Sequence, residues 1–244
     1  MTNELMGIRG RTMQVSEIFH SFQGEGPSSG ERAIFLRLAG CNLSCRWCDS
    51  AFTWDWTRFD RAKEVRSCES DDVALQISTL SSDRYGLLVV TGGEPLIQQS
   101  SIAKILDALK ITDPNMRCEI ETNGTRKASD ALCRRVHRFV VSPKLENSHI
   151  DVQRRVRLPV LRNFAKGSRN VFKFVVESPA EFEEIGLICD AAGISPRQVW
   201  IMPQSVSPTD CLVGLGDLAG PTLDAGYNLS NRLHVLLWGD ERGR

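Results

Sequence analysis

Short apolar runs recur along the chain, and they are the strongest indication of its secondary structure. Most are rich in β-branched residues, and each ends in glycine, proline or polar residues, as buried strands commonly do. The six strands predicted in this way are AIFLRLAG (33–40), LLVVTGG (87–93), CEIETNG (118–124), FVVSPK (139–144), VFKFVVES (171–178) and VWIMPQS (199–205).

Helical periodicity fills three of the intervals between these strands. The segment SCESDDVALQISTL places Val73, Ile77 and Leu80 on one face, after two aspartates that favour a helix N-terminus. SIAKILDALK and PAEFEEIGLICDAAG carry similar apolar stripes, and Gly193 is well placed to end the second of these helices. Because strands that alternate with helices indicate parallel strands with helical crossovers, we predict an α/β fold, either a barrel or a partial barrel.

Two parts of the chain lack such a pattern. Residues 145–169 are basic and aperiodic, and we expect a solvated surface excursion, with a nucleic-acid patch as the less favoured alternative. The tail from Thr209 to Arg244 is difficult to assign, although its HVLLWG run is expected to dock on the body of the protein. The length of 244 residues favours one domain, so residues 1–244 are predicted to form a single unit.

Composition and charge narrow the classes of partner. The 30 basic side chains balance the 30 acidic ones, so no overall field draws the chain to nucleic acid or to an anionic membrane. The N-terminus MTNELMGIRGRTMQVSEIF lacks the apolar core of a secretion signal, and no run is long enough to span a bilayer. We therefore expect a cytoplasmic protein that binds a small molecule, without a membrane or direct nucleic-acid partner.

Almost every predicted strand ends in an unusual polar or glycine-rich cluster. The clusters are CxxxCxxCD after the first strand, then TGGEP, ETNG and SPK, and finally MPQS after the sixth strand. In barrel-like α/β folds the carboxyl ends of parallel strands build the active site. We therefore predict that these clusters converge on one pocket.

Three of the eight cysteines form a constellation on the loop after the first strand. Cys41, Cys45 and Cys48 have the spacing C-x3-C-x2-C, whereas the other five are scattered singly. A zinc site would need a fourth ligand, for which His20, Cys68 or water are candidates, and a disulfide with a spare thiol is a further alternative. We favour an iron–sulfur cluster that leaves one iron free to hold a substrate or cofactor.

The order of the motifs along the chain is similar to that of a known protein superfamily. C-x3-C-x2-C after a first strand, followed by GGEP at the end of the second, resembles the radical S-adenosylmethionine (SAM) superfamily. The resemblance implies that the methionyl group of SAM occupies the free iron and that cleavage of SAM gives a 5′-deoxyadenosyl radical, which abstracts the substrate hydrogen. Gly92 and Gly93 suit a close approach of backbone to the cofactor, and Glu94 suits an acceptor for an ammonium or for local backbone.

The flanking sequence is more specific. QGEG, an arginine on the first strand, CDS after the last cysteine, ETNG, SPK and the ending HVLLWGDERGR are together similar to the 7-carboxy-7-deazaguanine synthase family. This family converts 6-carboxy-5,6,7,8-tetrahydropterin to 7-carboxy-7-deazaguanine with loss of ammonia, and the product serves 7-deazapurine (queuosine-type) biosynthesis. The resemblance implies a [4Fe-4S] cluster, SAM and Mg2+, a flavodoxin- or ferredoxin-type reductant, and a homodimer. It also implies a partial TIM-like barrel of about six parallel strands with few helices.

The resemblance also assigns residues, position by position. The three cysteines ligate the cluster, Ser50 contributes to the Mg2+ site, and no protein side chain is assigned with certainty as a catalytic residue. The expected pterin-binding residues are Phe22, Gln23, Gly24, Glu25, Arg37 and Thr91. The expected SAM-binding residues are Trp47, Asp49, Gly93, Ser142, Pro143, Lys144, Met202, Pro203, Gln204 and Ser205.

Several of these assignments have plainer alternatives. Arg37 lies between apolar neighbours, where a guanidinium needs an anion, and that anion is either the substrate carboxylate or an internal glutamate. Gln23 and Glu25 also fit a polar turn, Ser50 a turn cap, and Lys144 an ordinary surface lysine. His234 is placed to donate a proton, but a lone histidine in an apolar run is more often structural.

Two other functions remain as alternatives. A glycyl-radical activating enzyme also uses C-x3-C-x2-C, but it leaves QGEG and Arg37 unexplained. An iron–sulfur or zinc module that acts on nucleic acid or carries electrons belongs to a different class, and neutral charge and glycine-rich strand ends argue against it.

Overall fold

The computed structural model describes residues 12–81 and 86–244. Within these residues nine strands form one sheet. They are β1 (Met13–Phe22), β2 (Arg32–Leu38), β3 (Arg66–Cys68), β4 (Leu87–Gly92), β5 (Arg117–Thr122), β6 (Arg138–Val141), β7 (Val171–Val176), β8 (Val199–Pro203) and β9 (Asn228–Leu229).

The same residues form nine helices, several of which are a single turn. They are α1 (Arg61–Glu64), α2 (Ser70–Ser81), α3 (Gln99–Thr112), α4 (Asp130–Cys133), α5 (Val152–Arg155), α6 (Leu158–Ala165), α7 (Phe182–Ala192), α8 (Pro208–Asp224) and α9 (Leu233–Trp238). Across the described part of the chain, no helix is both long and apolar enough to cross a bilayer.

The sheet is mostly parallel and stays open. Its order is β3-β1-β2-β4-β5-β6-β7-β8-β9, so β3 and β9 form the two edges. All pairs from β2 to β9 are parallel, whereas β1 is antiparallel to both β2 and β3. The predicted α/β fold is confirmed, and the six predicted strands are β2 and β4 to β8.

The predicted helices are also present. α2, α3 and α7 cover the three periodic segments, and Gly193 ends α7 with a left-handed φ of 68°. Their apolar stripes pack on the outer face of the sheet, where Leu36, Val90 and Phe172 are fully buried. This layer of apolar contacts fixes the strands from one side only, so the other face of the sheet is free to carry polar groups.

Three strands were not predicted. β1 alternates buried and partly exposed positions only over its first half, and β3 and β9 are too short to give a periodic signal. β1 lies against β2 through a register shift between Val15 and Glu17, which marks an irregularity in the strand.

α8 was also missed, because its sequence argues against a helix. PTDCLVGLGDLAGPTLD contains three glycines and an internal proline, Pro221, all of which lower helix propensity. The helix nevertheless begins with a favourable cap, since the Ser207 side chain accepts a hydrogen bond from the Asp210 N–H and Pro208 occupies the first turn. Packing of Cys211 and Leu218 against the body then overrides the local preference.

The basic segment is a surface excursion, as expected, but it is folded, and its two helices were not predicted. It contains α5 and α6, and α6 buries Leu161 and Phe164. Arg155 is itself buried, pairs with Glu184 and donates to the carbonyl oxygens of Ile150 and Lys144. The HVLLWG run docks on the body as expected, since Val235 in α9 is buried.

Candidate active site

The cysteine loop leaves the carboxyl end of β2. Cys41, Cys45 and Cys48 are each partly buried, and the Cys48 N–H donates to the Cys45 carbonyl at 3.3 Å. Burial raises the pKa of the Cys41 thiol to about 11 and also raises that of Cys45, and the neighbouring acidic groups act in the same direction. Thiols in such surroundings stay protonated unless a metal compensates the thiolate charge, so the loop fits an iron–sulfur cluster.

Three N–H donors lie close to sulfur atoms of this loop. The backbone N–H of Leu43 lies 3.5 Å from Cys41 Sγ, the amide Nδ2 of Asn123 lies 4.0 Å from the same sulfur, and the indole Nε1 of Trp54 lies 3.3 Å from Cys48 Sγ. N–H groups directed at sulfur are a regular feature of protein iron–sulfur sites.

The end of β4 is fastened to the cysteine loop. The Gly93 N–H donates to the Leu38 carbonyl at 2.9 Å, and the Glu94 N–H donates to the Gly40 carbonyl at 2.8 Å. A Cβ on Gly92 or Gly93 would come within 2.1 Å of the carbonyl oxygen of Leu38 or Gly40 respectively. The glycines therefore accommodate the chain's own backbone at this junction, and their contact with the cofactor stays a prediction.

Glu94 serves the same junction. It is fully buried and accepts hydrogen bonds from the N–H groups of Leu96 and Asn123, and from the Thr122 hydroxyl at 2.8 Å. Burial raises its pKa, although these three donors oppose the rise. Glu94 was expected to accept from an ammonium or from local backbone, and the structure shows the contacts with local backbone. These contacts connect β4 to the ETNG turn after β5.

The polar strand ends converge on one pocket, as predicted. It lies at the carboxyl ends of the parallel strands and has a volume of about 460 Å³. The strands β2, β4, β5, β6, β7 and β8 contribute Arg37, Thr91 to Gly93, Glu121 to Asn123, Ser142, Lys173 and Met202 to its wall. Residues 239–244 at the C-terminal end of the chain close another side.

A buried charge network forms the floor of this pocket. Glu25 pairs with Lys173 on one carboxylate oxygen, and its other oxygen accepts a hydrogen bond from Arg232 Nε at 3.0 Å. Arg232 also donates from Nη2 to Asp49 at 2.5 Å, and from Nη1 to the Ser205 carbonyl. The network thus joins the QGEG turn, β7, the loop after Cys48 and the start of α9.

These contacts decide the charge of Glu25. Burial alone would raise its pKa, but the charges of Lys173 and Arg232 more than offset that cost and hold the pKa well below its ordinary value. Burial likewise disfavours the charged form of Lys173. The negative charge of Glu25 outweighs this effect, so the pKa of Lys173 is raised. His234, with Nε2 3.8 Å from Glu25, has a lowered pKa because of burial and is neutral near pH 7.

A second polar group collects around Glu121 on the pocket wall. Gln23 Nε2 donates to one carboxylate oxygen at 3.2 Å, and the Thr91 hydroxyl donates to the other at 2.7 Å. Gln23 and Thr91 were predicted from the sequence, and Glu121 was not. The structure therefore brings the two predicted residues together through a carboxylate that the sequence analysis treated only as part of ETNG.

Arg37 has an internal partner. Its Nε donates to Glu17 at 2.8 Å, and its guanidinium lies 5.6 Å from the ring centre of Phe19 and 5.8 Å from that of Phe52. The ion pair with a glutamate, given above as an alternative, is thus present. It uses only Nε, and neither Nη atom has a hydrogen-bond partner among residues 12–81 and 86–244.

The remaining predicted residues fall into two groups. Phe22, Gly24, Asp49, Ser50, Gly93, Ser142 and Met202 line the pocket. Trp47, Pro143, Lys144, Pro203, Gln204 and Ser205 do not line it. Lys144 lies instead beside the cysteine loop, with Nζ 2.9 Å from the Ser142 hydroxyl and 5.3 Å from the ring centre of Trp47. It is therefore not an ordinary surface lysine.

Ser50 lies between the cysteine loop and the pocket. Its side chain is buried, and its hydroxyl lies 3.7 Å from Cys48 Sγ. Ser50 precedes a 3-10 turn over Ala51–Thr53, but its side chain makes no capping hydrogen bond there. The turn-cap alternative therefore does not account for the hydroxyl.

Several pocket residues were missed by sequence reasoning. The criterion that selected Arg37, a charge in the middle of an apolar strand, also selects Lys173 in VFKFVVES and was not applied to it. Arg232 and Arg242 gave no signal, because they lie in a tail without periodicity. Arg242 stacks on Phe52 with its guanidinium 3.7 Å from the ring centre, and it pairs with Glu17.

Comparisons with known proteins agree with this geometry. The family model of the Radical SAM superfamily matches residues 36–171, which hold the cysteine loop and the strands from β4 to β6. A solved structure, QueE from Escherichia coli, superposes with a TM-score of 0.66 at 24% identity, covering 91% of this chain and 95% of that one. The chain thus has the partial barrel of radical SAM proteins, and it belongs to that superfamily.

Curated relatives identify one family within this superfamily. The chain is 35% identical to the 7-carboxy-7-deazaguanine synthase of Pyrobaculum aerophilum, over 95% of its own length and 97% of the relative's. It is 32% identical to the synthase of Hyperthermus butylicus, with 92% of each chain covered, and 28% identical to that of Bacillus subtilis. The chain belongs to the 7-carboxy-7-deazaguanine synthase family. This membership implies a [4Fe-4S] cluster and SAM.

The charge network leads to a prediction about stability. Glu25→Gln leaves the buried cations of Lys173 and Arg232 without their shared anion, so we expect a loss of about 3–5 kcal/mol in the free energy of unfolding at pH 7. Because the folded-state pKa of Glu25 is lowered, its contribution is fully present above the ordinary pKa of 4.5 and declines as the pH falls below it. Urea unfolding from pH 7 to pH 4 measures both effects.

Glu31→Gln is the matched control. Glu31 pairs with Arg117, but both side chains are about two-fifths exposed. Removal of such a pair costs less than about 1 kcal/mol. Equal losses in the two variants, or a Glu25→Gln loss that does not shrink at low pH, would contradict the charge assignment.

Proposed function

We propose that this protein converts 6-carboxy-5,6,7,8-tetrahydropterin to 7-carboxy-7-deazaguanine with release of ammonia. Membership of the family places the chain in 7-deazapurine biosynthesis as a radical SAM enzyme. The observation that carries the proposed substrate is Arg37, which lines a pocket that also contains the amide of Gln23 and the carboxylate of Glu121 and whose Nη atoms have no hydrogen-bond partner among the described residues. The proposal treats residues 1–244 as one radical SAM domain.

The residues for the cluster and SAM lie on one side of the pocket. Cys41, Cys45 and Cys48 would hold three irons, and the fourth would remain for SAM, which supplies the hydrogen-abstracting radical when bound. Asp49, Gly93, Ser142 and Met202 line this side and are proposed to contact SAM. Six further residues do not line the pocket but are also proposed to contribute to the SAM site: Trp47, Pro143, Lys144, Pro203, Gln204 and Ser205.

The proposed pterin site lies opposite. The Nη atoms of Arg37 would form charge-assisted hydrogen bonds with the substrate carboxylate. Gln23, Thr91 and Glu121 would bind the donors and acceptors of the pyrimidine edge, for which an amide and a carboxylate are complementary. The aromatic ring of Phe22 and the backbone at Gly24 complete this wall, and they help to exclude water from the reacting atoms.

Glu25 lines the pocket and is proposed to accept hydrogen bonds from the N–H groups of the pterin ring. Its pairs with Lys173 and Arg232 keep it charged, and they also order the QGEG turn that carries Gln23. His234 packs against Gly24, where a Cβ would approach Nδ1 to 2.0 Å. Its neutral imidazole can hold or release a proton at one ring nitrogen, and we propose this as its role rather than a purely structural one.

Anaerobic reconstitution tests the substrate. With cluster, reductant, SAM, Mg2+ and the carboxytetrahydropterin, mass spectrometry should detect carboxydeazaguanine. Arg37→Ala should lower kcat/KM by roughly 10- to 100-fold, since a hydrogen-bonded charged group contributes about 1.5–3 kcal/mol. Arg117→Ala, which removes an exposed ion pair, is the matched control and should retain activity.

The outcomes separate the alternatives. SAM cleavage without carboxydeazaguanine would refute the synthase while leaving the superfamily intact, and a glycyl-radical activating enzyme would give that pattern. An Arg37→Ala variant with unchanged kinetics would remove Arg37 from the substrate site. A Cys45→Ala variant that retains activity would refute the cluster itself.

We also propose that Ser50 contributes an oxygen ligand to Mg2+. Its hydroxyl faces the pocket without a cap hydrogen bond, and Mg2+ prefers hard oxygen ligands while keeping several waters. With the substrate carboxylate nearby on Arg37, the ion would neutralise negative charge as nitrogen leaves the ring.

Ser50→Ala should raise the Mg2+ concentration needed for half-maximal activity by about tenfold, because one ligand is lost from a weak site. Ser44→Ala is the matched control, since Ser44 is an exposed hydroxyl on the same loop. Identical Mg2+ titrations for the wild type and Ser50→Ala would remove Ser50 from the metal site.

The reductant is proposed to be an acidic protein of the flavodoxin or ferredoxin type. Four exposed cations lie on the cysteine loop or on segments that contact it: Arg46 on the loop, Arg154 on α5, and Arg126 and Lys127 directly after Thr125, whose hydroxyl accepts from Asn42 Nδ2 at 2.8 Å. Arg154 donates to the Asn42 carbonyl at 3.2 Å, and Arg46 contacts His149. The four have no acidic partner within ion-pair distance in the described ranges, and they outnumber the nearby Glu146 and Asp151.

Charge reversal tests this docking surface. The double change Arg46→Glu and Arg154→Glu should slow cluster reduction by reduced flavodoxin by at least tenfold at low ionic strength, and high salt should diminish the difference. Arg134→Glu is the control, because Arg134 lines a separate cavity beside α3. Stopped-flow absorbance measures the rate without substrate. Equal rates for all three proteins would place the docking surface elsewhere.

We further propose a homodimer that acts in the cytoplasm. α8 exposes Leu212, Val213 and Leu223, each with more than half of its surface accessible, which suits an interface between two copies. Metal-binding cysteines also require a reducing compartment. Light scattering that gives a monomer mass would contradict the dimer.

A further inference from the structure

We infer that Trp54 sets the reduction potential of the cluster through its indole N–H. The indole Nε1 lies 3.3 Å from Cys48 Sγ, six residues earlier in the chain, and donates a hydrogen bond to it. Trp54 belongs to the aromatic stretch FTWDW, in which Phe52 lines the pocket, but neither the fold nor the proposed substrate site assigns a task to the indole of Trp54. The inference rests on the cluster of the proposed function, and it concerns the electronic properties of that cluster rather than its substrate.

The chain holds Trp54 rigidly in this position. Its backbone N–H donates to the Ala51 carbonyl at 3.0 Å, which completes the 3-10 turn over Ala51–Thr53. Thr53 is fully buried, and its hydroxyl and N–H both donate to the Ser50 carbonyl. The Thr53 carbonyl in turn accepts from Gly40 N–H at 2.8 Å. The turn is therefore fastened to the residue that precedes Cys41, so both ends of the cysteine loop fix the indole.

Neighbouring tryptophans have different partners. Trp47 donates its indole N–H to Asn147 Oδ1 at 3.1 Å, and the ring of Trp56 lies against the Arg61 guanidinium at 5.9 Å. The backbone N–H of Leu43 also points at a ligand sulfur, Cys41 Sγ, but only proline would remove it, and proline would also restrict the loop backbone. The indole N–H of Trp54 is thus a side-chain donor to a cluster ligand. A substitution can delete this donor while it keeps an aromatic ring at position 54.

The direction of the effect follows from electrostatics. A reduced cluster carries more negative charge on its sulfur atoms than an oxidised one, so an N–H donor stabilises the reduced form more strongly. The donor therefore raises the potential and makes one-electron reduction easier. The Ser50 hydroxyl, 3.7 Å from the same sulfur, is too distant to replace it fully.

Trp54→Phe tests this role, because it deletes the donor and keeps an aromatic ring. At a fixed ambient potential near the midpoint, the ratio of reduced to oxidised cluster should fall by about three- to tenfold, and a tenfold fall corresponds to 59 mV for one electron. A redox titration followed by electron paramagnetic resonance measures this ratio without SAM or substrate. Trp56→Phe, in which a partly exposed ring is changed nearby, is the matched control and should keep the wild-type potential.

A second measurement identifies the donor itself. In the wild-type protein, electron–nuclear double resonance of the reduced cluster should show coupled protons that disappear after exchange into D2O, including those of the Leu43 N–H and the Trp54 indole. Trp54→Phe should lack the indole coupling and keep the others. An unchanged potential in Trp54→Phe, or an equal shift in Trp56→Phe, would overturn the inference. So would an identical set of exchangeable couplings in the wild type and in Trp54→Phe. These results are independent of product formation, so failure of the synthase proposal alone would leave them unaffected.

Discussion

The site depends on the junction between the ends of β2 and β4. Two backbone hydrogen bonds, from Gly93 to Leu38 and from Glu94 to Gly40, hold the cysteine loop against the GGEP turn. The junction is so close that Gly92 and Gly93 cannot carry a Cβ without displacing backbone. Glu94 extends it to β5 through Thr122 and Asn123. A radical enzyme needs its cluster, cofactor and substrate at fixed separations, and this junction provides that rigidity by backbone contacts.

The inner face of the sheet carries the second constraint. Helices bury only the outer face, which leaves an open barrel whose interior holds charged groups. The opposite charges of Glu25, Lys173 and Arg232 offset the desolvation cost of burying them. The charged groups at the pocket floor therefore remain ionised. Arg37 differs, because Glu17 engages only its Nε. Within the described ranges, the Nη atoms of Arg37 therefore have no hydrogen-bond partner, and the proposed substrate brings one carboxylate. This match distinguishes the proposed synthase from an activating enzyme, whose target is a peptide.

Much of the fold could be predicted because buried parallel strands are continuous apolar runs, and all six of those predicted are present. β1 and α8 were missed for physical reasons, since the alternation of β1 covers only its first half and tertiary packing overrides the glycines of α8. Site residues next to motifs, such as Gln23 and Ser50, were found at the pocket. Arg232 was not, because it lies in a tail without periodicity, whereas Lys173 and Glu121 lie within predicted strands but were given no role of their own. The roles of Gly92 and Gly93 also required the structure, since a clash with distant backbone leaves no trace in sequence.

The central claim is that three cysteines leave one iron of the cluster for SAM. Mössbauer spectroscopy of protein reconstituted with 57Fe tests it directly, with spectra recorded before and after addition of SAM. The account predicts that one iron site in four changes its isomer shift when SAM binds, while the three cysteine-ligated sites keep theirs. Four unchanged sites, or four that shift together, would show that no iron is reserved for SAM and would contradict the account.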